Sequence, residues 1–187
     1  MRLYITVLLS NLFLVVSCSQ NVVYIPTINV SRLVDIHDTS IFDVDTIMNE
    51  LRFEFNSKTN KSGLNIYSYD RRLGEGDYSR IEKTFYGKGT DLVNVETIFT
   101  TNDRERYDIL MDSAFDSDSE FIYSGREYEG EKVIYTFSTS FFSERNILYL
   151  ESTSFQGDGG DSIYMVTLTN PVGKIIFESQ LENGDSI

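Results

Sequence analysis

Leu51-Arg52-Phe53-Glu54-Phe55-Asn56 alternates apolar with polar residues at every step. Side chains of an extended chain point to opposite faces in turn, so this stretch reads as a half-buried strand. Working outward, the period of two returns repeatedly. Leu64 to Tyr69 follows across the polar turn Asn56 to Gly63, and Ile81 to Tyr86 and Leu92 to Phe99 lie on either side of Gly87-Lys88-Gly89. Glu120 to Tyr123 and Lys132 to Ser138 flank a turn containing Gly125 and Gly130. Asn146 to Phe155 and Ser162 to Thr169 flank the acidic loop Gln156 to Asp161. Asn170-Pro171-Val172-Gly173 suits a tight turn, with Pro fixing φ at the second place and Gly favoured at the fourth. Lys174 to Leu181 is therefore expected as the last strand of a hairpin.

One segment has another period. Asn102 and Glu105 have capping-box spacing, and Tyr107, Leu110, Met111 and Ala114 then share one helical face. The pattern predicts a mainly β fold, an antiparallel β-sandwich or barrel with one short helix near 103–114. The domain plan has three parts. Residues 1–17 read as a signal peptide and 18–45 as a lipidated tether and lead-in, with Val22 to Ile25 able to pair briefly before Pro26. Residues 46–187 read as a single β-rich domain.

Composition narrows the function. The chain has 187 residues, 41% hydrophobic, with 13 Phe and 12 Tyr, which fits a packed domain. A net charge of −13 repels nucleic-acid phosphate, so no nucleic-acid partner is expected. One Cys and one His leave no internal disulfide and too few ligands for a Cys/His zinc site.

That Cys stands at the end of a leader. Arg2 precedes an apolar run from Leu3 to Val16, which is too short to span a bilayer. The run closes Val15-Val16-Ser17-Cys18, which resembles the bacterial lipobox. The resemblance implies signal-peptidase recognition through Val15, Val16 and Ser17, cleavage before Cys18, and a diacylglyceryl thioether on Cys18 with an acylated (palmitate-type) amino terminus. Each buried CH₂ contributes about 0.8 kcal/mol, so two or three chains make a stable anchor. Ser19, in place of the Asp that retains many lipoproteins at an inner membrane, implies an outer-membrane or cell-surface location. An ordinary secretory signal, cut before Cys18 or Gln20, is the alternative.

No catalytic residue stands out. A Ser or Cys nucleophile needs a base, and His37, in the lead-in, reads as a solvated or hydrogen-bonded structural residue. Neither Gly74-Glu75-Gly76 nor Gly157 to Gly160 continues as a phosphate-binding loop. A pair of carboxylates would suffice for a glycosidase, but Trp, the foremost sugar platform, is absent. Asp116, Asp118 and Glu120, and Asp158 with Asp161, are candidate oxygen ligands for Ca²⁺, against a reading as solvated turns; no other cofactor is expected. The sequence thus predicts a lipid-anchored cell-envelope protein, a non-enzymatic binding or accessory module. Its expected partners are the membrane, through the anchor, and an envelope or surface protein. The alternatives are a carboxylate-dependent, glycosidase-like hydrolase and a Ca²⁺-stabilised adhesion domain.

Overall fold

A computed structural model describes residues 25–61, 63–74, 76–88, 91–116, 118–129, 132–139, 147–157 and 160–182. The fold is mainly β, as the alternation predicts. Its eight strands are β1 (Glu54–Lys61), β2 (Leu64–Gly74), β3 (Asp77–Lys88), β4 (Asp91–Thr101), β5 (Phe121–Glu129), β6 (Lys132–Thr139), β7 (Tyr149–Gln156) and β8 (Ser162–Thr169). They form one antiparallel sheet in the order β1-β2-β3-β4-β8-β7-β6-β5. Among the described residues the sheet is neither paired into a sandwich nor closed into a barrel. It consists of two four-strand meanders whose last strands, β4 and β8, pair along the seam, with Phe99 opposite Val166.

Helices take the place of a second sheet. They are α1 (Val30–Asp38), α2 (Val44–Glu50), α3 (Arg104–Phe115) and α4 (Pro171–Glu182). Sheet residues Tyr69, Ile81, Phe99, Phe137, Leu150, Val166 and Leu168 form one core with Leu33, Val34 and Ile36 of α1, Val44 and Met48 of α2, and Leu110, Met111 and Ala114 of α3. Burying such side chains stabilises by roughly 1.5–3 kcal/mol each. The stretch expected as tether and lead-in is therefore part of the packed unit from Ile28 onward. Its weak periodicity concealed a helix that Asn29 caps by accepting from the Arg32 amide.

Three local expectations are corrected. Leu51 and Phe53 are buried, but they close α2 rather than extend a strand. The amides of Arg52 and Phe53 bond back to Asn49 and Met48 at 3.0 and 2.9 Å, with Arg52 at φ 61°. This is a left-handed helix stop, usually built on glycine. Strand β1 begins afterwards and is an exposed edge, continuing through the expected turn to Lys61. At the predicted capping box, Asp103 rather than Asn102 caps α3, accepting from the amides of Glu105 and Arg106. Asn102 instead accepts from the Tyr78 amide at 2.9 Å and donates to the Gly76 carbonyl at 2.5 Å, tying the helix start to the β2–β3 turn.

The expected last strand is helix α4. Asn170 accepts from the Gly173 amide at 2.9 Å, and its carbonyl takes the Lys174 amide at 3.0 Å. Asn170-Pro171 is thus N-cap and first helical residue, where proline's fixed φ and missing N–H cost nothing. The choice is tertiary. The Asn170 side chain donates to the Asn94 carbonyl at 2.6 Å, and its amide bonds the Val95 carbonyl at 3.2 Å. A Cβ on Gly173 would strike that same Val95 carbonyl, so glycine serves here for close approach.

Candidate functional site

Helix α3 is pinned across the sheet at its first turn. Arg106 makes a two-pronged ion pair with Asp77 at 2.5 and 2.7 Å and reaches Asp103 at 3.2 Å. This pairing holds the Asp77 carboxyl below its ordinary range. The apolar face of α3 is buried, which leaves Arg104, Tyr107 and Asp108 along its flank. There a groove of about 390 Å³ opens between α3 and strands β6, β7 and β8.

Alternation decides what lines it. Tyr135 faces Ser152 in the β6–β7 ladder, and Ser154 faces Tyr164 in the β7–β8 ladder, all on the helix side of the sheet. The Tyr107 and Tyr164 rings stack at 4.7 Å between centroids and 23° between planes. The Tyr107 hydroxyl lies 2.6 Å from Ser152 Oγ. Burial pushes the Tyr107 phenol up, so it stays protonated at neutral pH. Ser154, Gln156 and Ser162 supply uncharged polar groups, and the exposed Arg104–Asp108 pair, 3.4 Å apart, adds a cation and an anion. The groove therefore offers three phenol rings beside hydroxyl and amide groups, with Asp108 as the only lining carboxylate among the described residues. Helical spacing puts Tyr107 on one face of α3, and Tyr135 and Tyr164 fall inside the strands expected over Lys132 to Ser138 and Ser162 to Thr169. Their convergence depends on which strands become neighbours.

The described residues singled out from sequence fall elsewhere. Val15, Val16, Ser17 and Cys18 lie outside the described residues, as does Asp158. Asp116 accepts from the Asp118 amide at 3.0 Å, a local turn that orders the residues before β5. Asp161 accepts through its backbone carbonyl from the Gly157 amide at 2.8 Å in the β7–β8 turn. Glu120 immediately precedes β5. Among the described residues, no three His, Cys, Asp or Glu side chains converge as a metal-binding group.

His37 is buried in the core rather than solvated. Its Nδ1 accepts from Asn94 Nδ2 at 2.9 Å and lies 3.2 Å from Thr97 Oγ1. Burial, then the nearby Lys83, lowers its pKa to about 3, so the ring is neutral with its proton on Nε2. One group of acids bears on hydrolysis. Glu82, Glu96 and Glu151 face away from the helices, and burial, opposed by a hydrogen bond with Thr84 and reinforced by Glu82 and Glu151, raises the Glu96 carboxyl to about 7. None of the three lines the tyrosine groove or the two other clefts found between Arg52 and Asp70 and between Val30 and Phe121.

No family model, no curated protein and no solved structure matches this chain. The groove's own chemistry is what bears on function.

Proposed function

We propose that this chain is a lipid-anchored, non-enzymatic binding module of the cell envelope that holds a neutral saccharide in the groove between α3 and β6–β8. The observation that carries this reading is the meeting of Tyr107, Tyr135 and Tyr164 with Ser154, Gln156 and Ser162 in one groove. Ring C–H faces of a sugar pack on phenol rings, while its hydroxyls need neutral donors and acceptors at the rim. Glycoside cleavage requires two carboxylates flanking the bond. Among the described residues the groove has Asp108 alone, already beside Arg104, which supports retention rather than hydrolysis. No helix among the described residues is long and apolar enough to cross a membrane. The anchor in this reading is the lipid on Cys18.

Two measurements test the two halves of the proposal. Since the chain has no Trp, tyrosine fluorescence and calorimetry can follow titration with a panel of neutral mono- and disaccharides. Saturable binding is expected, weakened about tenfold in Tyr135→Ala, or ~1.4 kcal/mol. Failure of the whole panel, or binding indifferent to Tyr135, refutes the groove. Intact mass of the native protein beside Cys18→Ala tests the anchor. Acyl mass is expected on the wild type only, and an unacylated wild type rejects the lipid.

A further inference from the structure

Strand β5 carries a bulge where its pairing with β6 steps from Tyr123 to Gly125. The extra residue, Ser124, donates its hydroxyl to the Thr136 carbonyl at 2.9 Å. One added residue shifts the alternation of every side chain beyond it. Tyr123, Arg126 and Tyr128 therefore share the helix side of the sheet, opposite Phe137, Tyr135 and Val133 in turn. Without the bulge, Arg126 and Tyr128 would point to the other face.

The bulge thereby sets these side chains beside the tyrosine groove, which Val133 and Tyr135 already line. Phe115, the last residue of α3, packs its ring against Tyr123 and Tyr135 at 5.5 and 5.9 Å between centroids. The Arg126 guanidinium lies 5.3 Å over the Tyr135 ring and 4.7 Å over the Tyr128 ring. Yet Tyr128 is 67% exposed and Phe115 50%. Single exposed rings are ordinary, whereas a contiguous group of them marks a binding surface. The cation over Tyr128 also holds that ring in place, so a ligand does not have to order it.

Register gives this surface its direction and length. Tyr164 of β8 lies opposite Ser154 of β7, Ser154 opposite Val133 of β6, and Val133 opposite Tyr128 of β5. One uncharged row thus crosses four strands, from the stacked Tyr107–Tyr164 pair to the edge of the sheet, over about 14 Å at the usual strand spacing. Among the described residues no strand lies beyond β5. The row is therefore open at its Tyr128 end, and it is longer than a disaccharide.

We propose that the tyrosine groove is one end of a longer site for a neutral oligosaccharide, with Tyr107 and Tyr164 gripping one end of the sugar chain and Tyr128, braced by Arg126, the other. This rests on the saccharide reading of the groove. A sugar chain presents apolar ring faces at intervals with hydroxyls between them. Two phenol platforms separated by the Ser154 hydroxyl and the Val133 methyls match that repeat. The open edge lets a chain run on past Tyr128, where a closed pocket would admit only a terminal sugar.

The test titrates the full chain by calorimetry with cello-, malto- and chito-oligosaccharides, from the monosaccharide to the hexasaccharide. In at least one series affinity is expected to rise about tenfold from the disaccharide to the hexasaccharide. Tyr128→Ala and Arg126→Ala are expected to cost the hexasaccharide most of that gain and the disaccharide much less. Tyr128 is exposed, so the melting temperature of Tyr128→Ala should match wild type, which separates binding from folding. A hexasaccharide that binds no tighter than the disaccharide, or a gain with length that survives Tyr128→Ala, overturns the extended site and leaves the groove standing. If no sugar of any length binds, the saccharide reading itself falls and the extended site falls with it.

Discussion

Lys83 carries its amine to the end of α1, where it donates to the carbonyls of Ile36 and Thr39. The ammonium's N–H groups meet carbonyls at the helix's C-terminal end, where its dipole is negative. Burial nevertheless lowers the Lys83 pKa to about 7, just as it drives His37 to about 3 and Glu96 up to about 7. Their pH effects have different signs. The unfolded chain protonates His37 near its ordinary 6.5 and the folded chain only near 3, so acidification through that window destabilises, by up to a few kcal/mol. Glu96 acts oppositely. Its folded pKa lies above its unfolded 4.5, so the folded state holds the extra proton between 4.5 and 7, and raising the pH through that window destabilises. Urea denaturation of Glu96→Gln beside wild type should show the variant gaining relative stability from pH 4.5 to 7.5, on the order of 1 kcal/mol after solvent screening. A pH-independent difference would mean that Glu96 titrates normally.

At the scale of elements, α3 is the piece that makes the groove. Its apolar stripe was legible because Leu110, Met111 and Ala114 keep helical spacing and are buried as that spacing requires. Its pin, Arg106 to Asp77, was not, since the two residues are far apart in sequence and meet only when the start of β3 comes beside the helix's first turn. Truncating Arg106 leaves Asp77 and Asp103 half-buried without their cation. Arg106→Ala is expected to lower stability by about 2 kcal/mol in chemical denaturation and to weaken saccharide binding through the displaced Tyr107. A variant as stable as wild type would show the ion pair to be ornamental to α3. The misread elements share one cause. Asn170-Pro171 is compatible with a turn and with a helix start, and the contacts to Asn94 and Val95 select the helix. Leu51 and Phe53 satisfy a strand's alternation and a helix stop's hydrophobic closure alike.

For the molecule as a whole, the seam between the two meanders is the decisive feature. Among the described residues only β4 and β8 join them by strand pairing, yet Phe99 and Val166 on that seam are fully buried in the same core as α1 and α3. A core continuous across the seam should unfold as one unit. Far-UV circular dichroism and tyrosine fluorescence are expected to give coincident urea transitions, whereas two resolved transitions would mean that each meander stands alone.

From the sequence alone came the strand-rich class, the helix over 103–114 and the exclusion of disulfide and Cys/His zinc chemistry. These follow from periods, turn residues and counts, which are local quantities. The pairing of β4 with β8, the helices that cover one face instead of a second sheet, the capture of His37 and Lys83 in the core, and the tyrosine groove were settled only in three dimensions. Each depends on contacts between residues distant along the chain. A period of two says that a strand has a buried face, but not which strand or helix comes to cover it.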